Sequence, residues 1–112
     1  MDACKLDVLF FRDREKDVWV GQCLQYDIAV QAENLRECMQ ELRSVLLGRI
    51  VIAAELKMEH PFENVPPAPA KYWKHYQNAF KLCPDEPTFQ FPEGVPPAFM
   101  LRSSDLEIRI YG

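Results

Sequence analysis

The side chains of this sequence that could carry out chemistry are few and widely spaced. Asp7 and Asp27 lie in two segments of β-favouring composition, and the histidines are His60 and His75. Carboxylates on neighbouring strands can bind the divalent ions that metal-dependent nucleases use. A small enzyme or nuclease with Asp7, Asp27 and His75 in its site is therefore one hypothesis. We favour the alternative, in which both aspartates are polar positions that face solvent.

Other catalytic and metal-binding patterns are missing. No serine lies in the glycine-supported turn that positions an activated nucleophile. The cysteines and histidines lack the closely spaced pairs of a zinc site, and the glycines are too scattered to build a phosphate-binding loop. We therefore expect a protein that is not an enzyme and that has no cofactor and no metal ion.

Residues 71–76, KYWKHY, interleave basic and aromatic side chains. This chemistry suits stacking on single-stranded nucleic acid, so binding of single-stranded RNA through Trp73 and Tyr76 is a further hypothesis. The same aromatic residues, with Tyr72 and Phe80, recur at helical spacing, which favours burial of one helix face. We favour a structural role for them, or contact with a protein partner.

The composition is that of one ordinary domain, expected over residues 1–112. The 112 residues are 48% hydrophobic and carry a formal net charge of −4. This charge argues against binding a polyanion over a broad surface and is more compatible with a basic partner. All nine prolines lie after residue 60, so we divide the domain into a core, residues 1–60, and a proline-rich extension, residues 61–112.

Period-2 patterns at residues 4–11, 18–24 and 26–32 predict an antiparallel meander of three strands. Trp19 alternates with Val18 and Val20, and we expect it on the sheet face away from the following helix, together with Ala29. That second face is too apolar to be merely solvated, so it should lie under another helix or meet another chain.

A long helix is predicted from Asn34, whose side chain can cap the first turn, to Leu56. Its first half is amphipathic. Beyond Leu47 the second side becomes apolar as well, through Val51 and Ile52. An apolar surface of this kind needs a cover, which could be the C-terminal segment or another subunit.

In the extension, residues 63–70 should run extended over the surface because of their prolines. Aromatic periodicity predicts a second, shorter helix over 70–82. Alternation over 106–111 predicts a final strand, with 99–102 as a hairpin partner. The sheet should therefore gain one or two C-terminal strands.

Targeting signals are not evident. Residues 1–9 lack the features of a signal peptide, and the apolar stretch 45–54 is about half as long as a bilayer span. The four cysteines are expected to be free thiols, mostly in the core, which goes with a cytoplasmic location. They are Cys4, Cys23, Cys38 and Cys83.

The order strand, strand, strand, helix, with VWVG at 18–21 and AENLREC at 32–38, resembles the HicB-like antitoxin domain. In that family the helix opens with a pattern like ADTLEEA, which residues 32–38 match position by position with Asn34 as the cap. Residues 62–80 are similar to extensions of stand-alone members.

This resemblance implies an α+β fold of the partial ribonuclease-H-like kind: an antiparallel three-stranded meander plus one or two C-terminal strands, packed on a long helix, with a second shorter helix. It implies a non-enzymatic protein that binds and neutralises a small basic HicA-type toxin ribonuclease and forms a homodimer. Family members often add a DNA-binding module, which the proline-rich extension cannot supply.

We expect the interface with a partner or a second copy to draw on exposed apolar residues of the sheet and both helices. The candidates are Trp19, Leu47, Val51, Ile52, Tyr72, Trp73 and Tyr76.

Overall fold

The computed structural model of the chain describes residues 5–82 and 89–111. The fold is α+β, with a five-stranded mixed sheet in the order β3-β2-β1-β5-β4 and two helices. The elements are β1 (Leu6–Asp13), β2 (Val18–Cys23), β3 (Ile28–Ala32), α1 (Leu35–Glu55), α2 (Ala70–Gln77), β4 (Phe80–Leu82) and β5 (Leu106–Tyr111).

The antiparallel meander predicted for the first 32 residues is present. Strand β1 pairs with β2, and β2 pairs with β3. The turn between β1 and β2 is held by Asp13, whose Oδ1 accepts hydrogen bonds from the backbone N–H groups of Glu15 and Lys16 at 3.1 and 3.2 Å. An aspartate in this position is a common way to close a tight turn.

Strand β5 lies beside β1 and runs parallel to it, with Leu6 opposite Leu106. The short strand β4 then pairs antiparallel with β5 and forms one edge of the sheet. Two late strands therefore join the meander. Since β5 takes a central place between β1 and β4, the C-terminal segment completes the sheet instead of only covering it.

Two details of the predicted extension are wrong. Residues 99–102 do not form a hairpin strand, because short 3-10 turns at Pro97–Phe99 and Ser103–Asp105 lie there instead. The second helix ends at Gln77, and Phe80–Leu82 forms strand β4. A strand at this place satisfies backbone groups of β5 that a longer helix would leave unpaired.

One sheet face packs against α1 and holds the larger core. Leu6, Val8 and Phe10 of β1 meet Leu46 and Ile50 of α1 there. The helix begins as predicted at Asn34, whose Oδ1 accepts a hydrogen bond from the N–H of Glu37 at 2.8 Å. The extension also contributes to this core, and its buried members are Phe62, Phe89, Val95, Phe99 and Leu101.

The opposite sheet face packs against α2 and holds a smaller apolar cluster. Its buried residues are Leu9, Leu24, Ala68 and Tyr76. The proline-rich segment reaches this cluster by pairing with the β2–β3 turn, since the N–H of Ala68 donates to the carbonyl of Leu24 at 2.9 Å. The segment is therefore anchored to the sheet.

Trp19 lies on the face that packs on α1, contrary to the prediction, because β2 pairs with β1 so that Gly21 stands opposite Phe10. Glycine is needed opposite Phe10. A Cβ atom there would lie 2.7 Å from Cε1 of the buried Phe10 ring. Because side chains alternate along a strand, Trp19 and Cys23 then lie on the α1 face together with Gly21.

Two of the four cysteines fall within the described residues. Cys23 and Cys38 are buried thiols, in agreement with the expected core thiols, while Cys4 and Cys83 lie outside the described residues. Burial and the nearby Glu41 carboxylate raise the pKa of the Cys38 thiol to about 11. The thiol therefore stays protonated at neutral pH.

Candidate functional site

The seven predicted interface residues do not form one surface. Trp19, Leu47 and Val51 are half-buried against the α1-face core. Tyr72 and Trp73 are half-buried against the α2-face cluster, and Tyr76 is buried within it; only Ile52 is largely exposed, at 56%.

Tyr76 connects helix α2 to two carboxylates of the sheet. Its hydroxyl lies 3.0 Å from Oδ1 of Asp7 and 3.2 Å from Oε2 of Glu107. Burial and these two carboxylates raise the pKa of the Tyr76 hydroxyl. The protonated hydroxyl can donate its hydrogen to either carboxylate, one at a time. It lies between Asp7 on β1 and Glu107 on β5, and it is a neutral group between two negative charges.

Arg109 places a positive charge beside these two carboxylates, in direct contact with Glu107. Its guanidinium donates to Oε2 of Glu107 at 3.0 Å from Nη2, donates to the Tyr76 carbonyl at 3.1 Å from Nη1, and lies 4.4 Å from the centre of the Tyr76 ring. The Arg109 hydrogen bonds, and then the Tyr76 hydroxyl, hold the pKa of Glu107 below its usual value. The network therefore fixes α2 on the sheet.

The residues of the hypothetical enzyme site have separate internal partners. Asp7 accepts a hydrogen bond from Gln25 Nε2 at 2.6 Å as well as contacting Tyr76, and Asp27 accepts one from the buried Gln22 at 2.9 Å. His75 packs on the ring of Tyr111, with centroids 4.4 Å apart. Within residues 5–82 and 89–111, no group of three or more His, Cys, Asp or Glu side chains is placed to hold a metal ion.

Exposed apolar side chains meet at the C-terminal half of α1. Ile52 and Leu56, four residues apart, are 56% and 68% exposed. Gly48 precedes Ile52 by four residues on the same helix face, and a Cβ atom there would meet nothing within 4 Å. We call Gly48, Ile52 and Leu56, with the exposed carboxylates of Glu55 and Glu59, the α1 surface.

Helix α1 ends directly beside this surface, at Leu56. Leu56 is the C-cap, and Lys57 follows with φ of 56°. The N–H of Lys57 donates to the Ala54 carbonyl and that of Met58 to the Ala53 carbonyl, at 3.1 and 3.0 Å. These bonds form a Schellman motif, which stops the helix and directs the chain towards the core residue Phe62.

A groove on the other side of the molecule is a second candidate site. It has a volume of about 790 Å³ and lies between α2, the β1–β2 turn and the end of β5. Arg12, Arg14, Lys16 and Lys71 line it together with aromatic side chains. Basic and aromatic groups are thus collected at one place on a chain whose net charge is negative.

Sequence reasoning identified Ile52 but missed Leu56, Gly48 and the groove. The spacing of Gly48, Ile52 and Leu56 by four residues was a usable signal, because it places a glycine in line with two large apolar residues on one helix face. The KYWKHY segment supplies Lys71, Tyr72 and His75 of the groove, but no local pattern joins this segment to the cations of the β1–β2 turn or to Tyr111.

Neither helix in residues 5–82 and 89–111 has the length and hydrophobicity to cross a membrane. In comparisons with known proteins, no protein-family model, no curated protein and no solved structure matches this chain.

Proposed function

We propose that this protein is a non-enzymatic, cytoplasmic interaction domain of the HicB type that binds and neutralises a small basic toxin ribonuclease through the α1 surface. The observation that carries the proposal is the exposure of Ile52 and Leu56, one turn apart on a helix whose other face is buried in the core. The strand order of the first 55 residues, which the resemblance to HicB-like domains implies, supports it.

The exposed pair supplies the apolar part of such a contact. Burial of one large aliphatic side chain contributes about 1.5–3 kcal/mol. Binding sites between proteins commonly depend on a few such anchors, surrounded by polar groups that exclude water. Ile52 and Leu56 would be the anchors, and Glu55 and Glu59 the polar groups.

Charge supports a basic partner. The whole chain carries −4, while the groove on the far side is lined by four basic side chains, Arg12, Arg14, Lys16 and Lys71, and one carboxylate, Asp13. The rest of the molecule, taken together, is therefore more acidic than the average suggests. Opposite charges increase the rate of encounter with a basic toxin and disfavour acidic partners.

Gly48 supports a close approach by the partner. Glycine inside a helix costs about 1 kcal/mol relative to alanine, and no neighbour within the described residues occupies the space that a Cβ atom would fill. The fold itself therefore does not need glycine here. A partner backbone that packs on α1 at this point would need it.

The test is neutralisation of the short basic protein encoded beside this gene, measured as growth rescue on co-expression and as affinity in vitro. The variant Ile52→Asp, Leu56→Asp should lose roughly 100-fold in affinity, or about 2–3 kcal/mol. The matched control is Phe80→Asp, since Phe80 is 78% exposed but lies on edge strand β4. This control should neutralise like the original protein.

A second variant separates binding from folding. Gly48→Ala should raise the free energy of unfolding by up to about 1 kcal/mol and yet weaken toxin binding, because the new methyl group obstructs the partner.

Equal toxin affinity for the Ile52→Asp, Leu56→Asp variant and the original protein would refute the proposed surface. A gene neighbourhood without any short basic reading frame would contradict the toxin as partner.

The homodimer is a separate part of the proposal. Light scattering at micromolar concentration should give twice the mass of 13.1 kDa. If the two aspartate substitutions break the dimer and leave toxin binding unchanged, then the α1 surface belongs to the second copy, and the toxin must bind elsewhere.

A further inference from the structure

The groove beside α2 shows a chemistry that the proposed antitoxin role does not use. It lies on the α2 face of the sheet, opposite the α1 face, and its volume of about 790 Å³ is within the range typical of small-molecule sites. Its walls come from the β1–β2 turn on one side and from the first turns of α2 on the other.

Three cations of the groove are available to a ligand. Arg12 pairs with Asp17 across the turn. By contrast, Arg14, Lys16 and Lys71 make no ion pair with a carboxylate in residues 5–82 or 89–111.

The only carboxylate among the described lining residues is that of Asp13. Its Oδ1 already accepts hydrogen bonds from two backbone N–H groups of the turn. The basic lining residues outnumber this carboxylate four to one, so the groove carries a net positive charge.

Aromatic rings lie next to these cations. Phe11 and Tyr72 are stacked, with centroids 5.8 Å apart and planes inclined by 28°. Nζ of Lys71 lies 4.9 Å from the centre of the Tyr72 ring. At the other end of the groove, His75 and Tyr111 pack with centroids 4.4 Å apart. Aromatic rings and basic side chains therefore line the same groove.

We infer that this groove binds a nucleotide, with the base stacked on the aromatic rings and the phosphate contacted by Arg14, Lys16 and Lys71. Stacking on aromatic side chains together with phosphate contacts is the usual basis of single-strand binding without sequence preference. An acidic peptide would satisfy the cations but would not stack on the half-exposed rings of Tyr72 and His75. The nucleotide can be free or part of a single strand.

The groove residues differ from Trp73 and Tyr76, the two residues that the sequence suggested for RNA binding. Trp73 donates from Nε1 to the Ala68 carbonyl at 3.1 Å, and Tyr76 is buried, so both have internal roles. Tyr72 and His75, from the same helix, line the groove instead. The helical twist divides the KYWKHY segment between the protein interior and the groove.

The two sources of a nucleotide are distinguished with two probes, a fluorescein-labelled deca-adenylate and adenosine monophosphate. We expect the labelled strand to bind with a dissociation constant on the order of 10–100 μM at low salt. With three phosphate contacts, a rise from ~50 to ~200 mM NaCl should weaken binding roughly 20-fold. Competition by adenosine monophosphate would assign the site to a free nucleotide, and its absence to a strand.

Variants test the two parts of the groove separately. Arg14→Gln, Lys16→Gln should weaken strand binding roughly tenfold or more and flatten its salt dependence. Tyr72→Leu keeps an apolar contact with Phe11 and should also weaken binding by roughly tenfold, through loss of stacking. The matched control is Arg36→Gln, Arg49→Gln, which makes the same change in net charge at exposed positions of α1.

Three results would overturn the inference. They are a dissociation constant above about 1 mM for both probes, equal weakening by the α1 control, and equally strong competition by poly-glutamate. Circular dichroism of each variant checks that the fold is retained. No groove variant changes a residue of the α1 surface, and no probe is the toxin, so these measurements succeed or fail independently of toxin binding.

Discussion

The two faces of the sheet are built on different principles. The α1 face is a large apolar core in which the side chains from β1, α1 and the extension exclude water. Among the described residues, the α2-face cluster has four buried apolar members, and one of them, Tyr76, places its hydroxyl between two carboxylates. Apolar packing gives much stability and little directional preference, while a hydrogen-bonded network fixes one arrangement at a smaller net gain. We therefore expect the α1 face to set the stability of the fold and the α2 face to set the position of helix α2.

The largest expected effect comes from an apolar cavity on the α1 face. Leu46 is fully buried, so Leu46→Ala should lower the free energy of unfolding by about 3 kcal/mol, measured by urea denaturation. Its neighbour Leu47 is half-buried, and Leu47→Ala should cost about 1 kcal/mol. Equal losses at the two positions would mean that the α1 face is not packed as described.

The second effect concerns the pairing of β1 and β2 at Phe10 and Gly21. Gly21→Ala would place a methyl group against the ring of Phe10, which has no free space because it is buried. We expect a loss of about 2 kcal/mol in thermal or urea unfolding. The double variant Gly21→Ala, Phe10→Leu should recover part of this loss, since a smaller side chain leaves room for the methyl group.

These two positions also indicate what the sequence could and could not predict. The periodicity of residues 35–55 and the Asn34 cap sufficed for α1, because local spacing determines which helix face is apolar. Trp19 was assigned to the wrong sheet face, because both faces of β2 carry apolar residues and alternation alone cannot orient such a strand. The contact of Gly21 with Phe10 decides the orientation, and it joins residues from two strands.

On the α2 face the expected effects are smaller. Tyr76→Phe removes the hydroxyl between Asp7 and Glu107 but keeps the ring in the apolar cluster. Asp7 retains Gln25 as a donor, and Glu107 retains Arg109, so the loss should be about 1 kcal/mol at neutral pH. A loss as large as that of Leu46→Ala would show that the network, and not apolar packing, dominates this part of the fold.

The smallest effect is a change in the pH dependence of stability. The pKa of Glu107 is lowered in the folded protein, first by Arg109 and then by Tyr76. A lowered pKa means that the ionised form stabilises the fold above the unfolded-state pKa, and that this contribution is lost as the pH falls through the folded value. Stability should therefore decrease from about pH 5 downwards.

The variant Glu107→Gln tests this assignment. It should show a shallower decrease of unfolding free energy over the same acid range, and Arg109→Gln should reduce the slope in the same direction. If Glu107→Gln retains the original slope, other carboxylates cause the acid sensitivity, and the role given to the α2-face network is wrong.

The candidate sites were less predictable than the helices and strands. Ile52 was accessible to sequence reasoning because the helix becomes apolar on both sides near it. The groove was not, because Arg14, Tyr72 and Tyr111 are brought together only when β5 enters the sheet beside β1. The pairing of β5 with β1 joins segments that are far apart in the sequence, so no local sequence pattern predicts it.

The place of β5 has a consequence for how the protein is made. Leu6 and Leu106 are paired although they are separated by about 100 residues, and a ribosome adds ~5–20 residues per second. During an interval on the order of ten seconds, the newly synthesised β1 presents an unsatisfied edge, and such edges readily join other chains. The nascent polypeptide is thus most vulnerable to aggregation before β5 is translated, and a truncated transcript that lacks β5 would leave it permanently in that condition.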